Sequence, residues 1–397
     1  MNVRIEHIET KPSNAFRKVL LVIMALLAFC EVNAQEGVAK KDYVDENFVI
    51  ASVLLAEPGG ALYSNAGHVT LRLQCPDHKL DYVFSYESEN VSKKILSFLS
   101  GNLNMGMFAI PTADYLNTYK QEQRGVKEYI LNMPLEAKRN LWRVCDNRVM
   151  QGANLPYDYI NRGCAYSTLR ILQAGLDTIP IQFGPWPEKF ETMNRRELAA
   201  MQLIDYPWTT CFMHFVCNGI VNKNDCSNEE KVVVPVDFIE VLSKARLRGT
   251  PLLSSSPTQL VPPGPAKQKP WFTPTLLAGI ILLLTIIATV CKKSVMDYVL
   301  LTIQTILGAI TVYLVFFSDL VCTESSCLIV PFNALPLLLW RWRRWWCLPY
   351  AIVIALWIII VLLWPHSLTD TPFILLSVAL IVSYVKMYIE NKKKIKI

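Results

Sequence analysis

The segment YINRGCAYSTLRIL, residues 159–172, sets Cys164 directly behind Arg162-Gly163 and at the head of a helical apolar pattern. A thiol there faces unpaired backbone N–H groups and the positive end of a helix dipole, and both favour the thiolate. The thiolate is the nucleophilic form. The same N–H groups can hold an oxyanion during acyl transfer. Such a nucleophile needs a base. Upstream, YSNAGHVTLRLQC carries His68 on a strand-like alternation, and the soluble region contains only His68, His78 and His214. His68 is the expected partner. On its strand Thr70 and Arg72 share its face, while Val69, Leu71 and Leu73 turn to a core.

The remaining cysteines carry less. Cys211, His214 and Cys217 in CFMHFVC, with Cys226 beyond, are metal-ligand types, but their spacing is poor for one helix. No metal and no cofactor is expected. In an oxidising compartment a disulfide among these three cysteines is the expectation. Cys75 and His78 in CPDH are an equally weak ligand set, and Cys322 and Cys327 are placed to pair with each other. Cys164 aside, the soluble region has an odd number of cysteines. One further thiol is expected to be unpaired or tied to the membrane loops.

These residues need a scaffold, and the composition splits it in two. The chain has 397 residues, 52% hydrophobic and only 18% charged, which is too apolar for one soluble domain. The net charge of +6 is modest, and basic residues form no patch interleaved with aromatics, which excludes a nucleic-acid partner. Lys11, Arg17 and Lys18 precede VLLVIMALLAF, with Val32 and Ala34 at cleavage positions. Residues 1–34 therefore read as a signal peptide cut after Ala34, which removes Cys30 and puts the middle of the chain outside the inner membrane.

Residues 35–250 have the composition of one globular domain, and 251–270, rich in Pro and Ser, read as a linker. Residues 271–390 read as a membrane domain of five helices, at about 272–291, 298–318, 324–340, 347–365 and 372–389, with Pro331, Asn333 and Pro336 interrupting the third. Five crossings put Lys292-Lys293, Arg341 to Arg344 and the basic tail at 391–397 all in the cytoplasm. In the soluble part FVIASVLLAE, HVTLRLQC and DYVFSYE read as strands, and LEAKRNLWRVCDNRVMQ and CAYSTLRILQA as helices, the second capped by Gly175. The segment KKILSFLSGNLNMGMFAI is apolar enough to line a groove or to be core.

In this order, LYSNAGHVTLRL, QRGVKEYILNM and YDYINRGCAYSTLRIL resemble the periplasmic domain of the Bacteroidota lipoprotein N-acyltransferases of Lnb type. That domain is similar to circularly permuted NlpC-type thiol enzymes, in which the histidine precedes the cysteine. FNALPLLLW resembles the family's Asn- and Pro-containing membrane segment. The chain departs from the pattern at Gly163, where the family often has Asn. The resemblance implies an α+β periplasmic domain, permuted papain/NlpC-like, followed by an all-α bundle of five transmembrane helices in a bacterial inner membrane. It implies Cys164 as nucleophile and His68 as general base. A third residue from DYVFSYE, with Asp81, Ser85 or Glu87 as candidates and Ser85 taken forward, would orient the imidazole. Tyr63 and Arg124 are implied substrate contacts. The implied reaction moves an acyl chain from a membrane phospholipid, through a Cys164 thioester, to the N-terminal amine of a lipid-modified lipoprotein. The same fold would also support a membrane-tethered thiol peptidase or amidase acting on cell-wall peptide.

Overall fold

A computed structural model describes residues 46–395, apart from 90, 92, 153, 223, 224, 255, 266–268, 365 and 367. The side chains of Tyr63, Ile220 and residues 393–395 also lie outside the description, as do residues 1–45 and with them the expected signal peptide.

Alternating apolar strands build the central layer. β1 (Ile50–Ala56), β2 (His68–Cys75) and β3 (Leu80–Ser88) pair antiparallel, with Val53 opposite Leu71 and Leu71 opposite Phe84. The chain continues through α1 (Ile95–Ser100), β4 (Asn104–Pro111), α2 (Thr112–Gln121), β5 (Val126–Ile130), α3 (Leu135–Met150), β6 (Leu155–Pro156) and α4 (Cys164–Leu176). After α5 (Lys189–Thr192), α6 (Arg195–Gln202), α7 (Pro207–Val216) and α8 (Pro235–Lys244) come the short hairpin β7 (Arg246–Leu247) and β8 (Thr250–Pro251), and then β9 (Thr258–Val261). The main sheet has seven strands in the order β6-β4-β3-β2-β1-β5-β9.

Both faces of the sheet are covered. Val69, Leu71 and Leu73 pack with Leu141 of α3 and with Ala165, Leu169 and Leu172 of α4. The opposite face is covered by Tyr115 and Tyr119 of α2, packed on Leu54, Val83 and Val126. The strand face expected to be polar is therefore interior as well. Thr70 is buried, and Arg72 is held between Asp81 at 2.6 Å and Glu128 at 3.0 Å. Gly175 does not cap α4. It lies inside the helix, where a Cβ would come within 2.8 Å of Leu141, so it is the small residue that lets α4 close on α3.

The Pro/Ser-rich stretch read as a linker begins inside the fold. Leu252 and Leu253 are buried, and Thr258–Val261 hydrogen-bonds to β5 as the sheet's last strand. Pro and Ser composition hid a short edge strand, a position where Pro is tolerated nearby.

Among the described residues the membrane half holds four apolar helices, α9 (Pro274–Val290), α10 (Val295–Phe317), α12 (Arg343–Leu363) and α13 (Thr371–Ile395), where five were expected. Three of them are long and apolar enough to span a bilayer, and α9 is shorter. Large apolar side chains such as Leu283, Ile306, Phe316 and Leu362 remain exposed on their outer surfaces, as a lipid surrounding requires. The third expected span is not a helix. Between 324 and 342 only the one-turn α11 (Leu335–Leu338) and two 3₁₀ turns form. Yet this broken segment runs the length of α10. Thr323 hydrogen-bonds to Leu314, Pro331 meets Gln304, and Trp340 stacks near Tyr298.

Its freed carbonyls are satisfied by side chains. Asn333 Nδ2 donates to Ile329 O at 3.0 Å and Val330 O at 3.1 Å, Tyr350 OH donates to Val330 O at 2.7 Å, and Gln304 Nε2 donates to Pro331 O at 2.7 Å. That is the condition under which non-helical backbone survives at membrane depth. The segment also needs Gly308, where a Cβ would lie 2.3 Å from the Asn333 Cα.

The two halves meet at one end of the bundle. Ser318 Oγ donates to Leu99 O at 2.6 Å, Trp208 Nε1 donates to Phe272 O at 2.9 Å, and His366 Nδ1 lies 3.1 Å from Glu197. At the remote end Lys386 pairs with Asp297 at 2.7 Å and reaches the Lys293 carbonyl. Trp340, over which Arg343 sits, lies against Tyr298 one turn into α10 at that same end.

Candidate active site

The loop before α4 is organised by one carboxylate. Asp158 accepts from the backbone N–H of Ile160 at 3.1 Å and Asn161 at 2.9 Å, and from Asn161 Nδ2 at 2.8 Å. Gly163 follows with φ −56° and ψ 153°, a conformation open to any residue. Its glycine is required for space, because a Cβ would stand 2.4 Å from the Tyr159 carbonyl oxygen. No side chain caps α4. The N–H groups of its first turn therefore surround Cys164 without a competing cap.

His68 opens β2. The chain enters through Gly67 at φ +81°, where a Cβ would press within 2.9 Å of Ala56 O. β2 then places the imidazole at the end of the sheet beside Cys164, and the Val69 N–H donates to the Cys164 sulfur. On the far side of the ring, Nε2 lies 2.8 Å from Ser85 Oγ. Ser85 is fully buried and donates to Glu87 Oε1 at 2.6 Å, and Glu87 itself approaches Nε2 at 3.6 Å. With Ser85 donating to the carboxylate, its oxygen accepts from Nε2–H, which leaves Nδ1 for Cys164.

The electrostatics follow from that line of groups. Burial alone would raise the Cys164 thiol, but the charge and hydrogen bond of His68, with the Val69 N–H, outweigh it and hold the thiol below its ordinary value. Burial likewise opposes a charged His68. The adjoining Cys164 and Glu87 overcome this and hold the imidazolium well above the usual histidine value. Burial pushes Glu87 up, and His68, Ser85 and Arg124 bring it down below the ordinary carboxylate. Each shift favours the charged form of its group, a thiolate on Cys164 and an imidazolium on His68.

Both groups line a cavity of about 330 Å³. Phe98 and Met105 from the segment read as groove or core line it, and Phe98 also packs in the core shared with the end of α10. Phe212, Val216, Cys217 and Cys322 close the side toward the bundle.

Of the other expected site residues, Arg124 lines the cavity, bonds Glu57 O at 2.8 Å and Glu122 at 2.8 Å, and keeps a buried Nη2 with no hydrogen-bond partner among the described residues. The Tyr63 side chain lies outside the described residues, and its neighbours Leu62 and Ser64 line the cavity. Asp81 does not orient the histidine, because Arg72 and Thr112 hold it elsewhere on β3. His214 is buried against Arg196, with Nδ1 3.0 Å from the guanidinium. Burial, then that charge, push it down to about 3. It is a neutral acceptor for Arg196. Of Cys211, Cys217 and Cys226, expected to pair among themselves, Cys217 faces Cys322 instead.

Two family models match the chain. Residues 39–186 match the Lnb N-terminal periplasmic domain and residues 266–395 match the Lnb transmembrane domain. The chain belongs to the Lnb family. No curated protein and no solved structure matches it. Membership gives the sheet domain a periplasmic location, the helical half a membrane location, and the whole a role in lipoprotein N-acylation in the broad sense.

Proposed function

We propose that this Lnb-type protein transfers an acyl chain from a membrane phospholipid, through a thioester on Cys164, to the N-terminal amine of a lipid-modified lipoprotein. One observation carries the reading: the Cys164–His68 pair opens into a cavity whose walls come from both the periplasmic domain and the end of the membrane bundle. A site built for wall peptide has no use for a wall that continues into membrane helices.

The steps follow the geometry. The Cys164 thiolate attacks an ester carbonyl, and N–H groups at the uncapped start of α4 hold the oxyanion. The His68 imidazolium gives its proton to the departing glycerol oxygen, and a lysophospholipid leaves. The acceptor α-amine, with an ordinary pKa of about 8, is partly neutral near pH 7. It attacks the thioester, neutral His68 takes its proton, and the thiolate departs. Ser85 and Glu87 fix the ring and stabilise its charge. Arg124 holds the phosphate of the donor head group with its unpartnered Nη2. Five passages, with the third as broken chain, put all basic clusters on the cytoplasmic side of the inner membrane.

Incubating purified protein with labelled phospholipid tests this. A hydroxylamine-sensitive acyl adduct on the Cys164 peptide is expected. Release of wall peptides with no acyl adduct would replace the reading with the amidase.

A further inference from the structure

The seam between the two halves brings two thiols together. Cys217 caps the C-terminus of α7 in the periplasmic domain, and Cys322 lies just beyond the end of α10. Their sulfurs are 3.5 Å apart although the residues are 105 positions apart in the chain. The backbones are already joined there, since Asn218 N–H donates to the Cys322 carbonyl. Thr323 anchors the Cys322 turn to α10 through Leu314 O at 2.8 Å. The fully buried Arg196 anchors the Cys217 side through the Cys217 carbonyl and Asn218 Oδ1. Both sulfurs line the catalytic cavity.

We propose that Cys217 and Cys322 form a disulfide that binds the periplasmic domain to the membrane domain at the wall of the catalytic cavity. Bond formation brings the two sulfurs from 3.5 Å to about 2.05 Å. The chemistry suits the compartment, because thiols outside the cytosol meet oxidising partners. The Arg196 guanidinium, held at the Cys217 carbonyl, favours a thiolate on Cys217, which serves as the attacking sulfur.

Its thiolate displaces one sulfur of an oxidised thiol–disulfide exchange partner and gives a mixed disulfide. Cys322 loses its proton, attacks the Cys217 sulfur and expels the partner's second thiolate. Two thiols here are oxidised, and the partner's disulfide is reduced to two thiols. The bond does not depend on the acyl-transfer reading.

The test uses full-length protein extracted from membranes without reductant, alkylated with N-ethylmaleimide under denaturing conditions and digested without reduction. A peptide pair joined through Cys217 and Cys322, two hydrogens lighter than the separate peptides, is expected. Alkylation of both cysteines before any reduction would overturn the proposal. Thermal unfolding in detergent gives an independent reading. A phosphine reductant should lower the midpoint of the wild-type protein by several degrees, to that of Cys217→Ser or Cys322→Ser, and leave both variants unmoved. An equal drop in the variants would assign the effect to another bond and overturn the proposal.

Discussion

His68 Nε2 stands 2.8 Å from the buried Ser85 hydroxyl, which donates its own hydrogen bond to Glu87. The contact fixes both the tautomer and the tilt of the imidazole. Ser85→Ala removes it without disturbing Cys164. Acyl-enzyme formation should slow by roughly ten- to a hundredfold, a part of the 10²–10⁴ that a positioned acid–base group contributes. The measurement is the single-turnover rate with labelled phospholipid. An unchanged rate would reduce Ser85 to packing.

The ion pair predicts a pH signature. Cys164 is held below its ordinary thiol value, so alkylation by iodoacetamide should persist below that range and fade only as pH falls through the lowered value. His68 is raised above the ordinary histidine value, so its proton is retained above that range and lost as pH rises through the raised value. Acylation, which needs that proton, should decline on the alkaline side. Glu87→Gln removes a group that raises His68 and should move the alkaline limb toward lower pH. A limb that stays in place would detach Glu87 from the histidine.

Gly163→Ala places a methyl 2.4 Å from Tyr159 O, a contact only a loop shift relieves. Cys164 moves with the loop. Thiol reactivity and acyl transfer should both fall by more than tenfold, as expected when a reacting atom is displaced by about 1 Å. Circular dichroism should show a retained fold. Full activity in this variant would mean that the loop is not a rigid mount for the sulfur.

Arg124→Met should raise the KM for phospholipid and leave the thiol's alkylation rate largely intact, because it removes an unpartnered guanidinium nitrogen rather than a reacting group. Vesicles of neutral diacylglycerol lipid provide the control. Their poor use by wild type, and equal use by both proteins, is the expected pattern.

In the membrane half, Asn333→Leu removes the side-chain donor to Ile329 O and one of the two to Val330 O, and Tyr350→Phe removes the other. Asn333→Leu should cost about 1–3 kcal/mol, the usual penalty for a polar group left without its partner, and Tyr350→Phe less, because Asn333 still serves Val330 O. Thermal unfolding in detergent measures it. Gly308→Ala should be worse still, since its Cβ would overlap the Asn333 backbone.

The sequence pointed to Cys164 and His68, which the fold brings to one cavity, because a cysteine behind Gly163 and a histidine on an alternating strand are recognisable by type and local period. It left the orienting residue open for a definite reason. Asp81, Ser85 and Glu87 alternate onto one face of β3, and only the register with β2 and the pull of Arg72 on Asp81 separate them. Hydropathy found the membrane half but mistook residues 324–340 for a helix, since apolar composition does not say that Gln304, Tyr350 and Asn333 will hold the carbonyls of a broken chain. The Cys217–Cys322 approach had no local trace, as it exists only once α7 has docked beside α10.

The shared cavity wall has a practical consequence. A fragment ending at residue 261 keeps every strand of the sheet and the whole Cys164–His68–Ser85–Glu87 line. It loses Leu314, Leu320 and Cys322, and so bares Phe98, Leu103 and Val216 to water. Such a fragment would be a reaction chamber with one side torn off, sticky toward detergent and leaky toward solvent. The cavity that holds Cys164 and His68 is therefore a property of the junction between the halves.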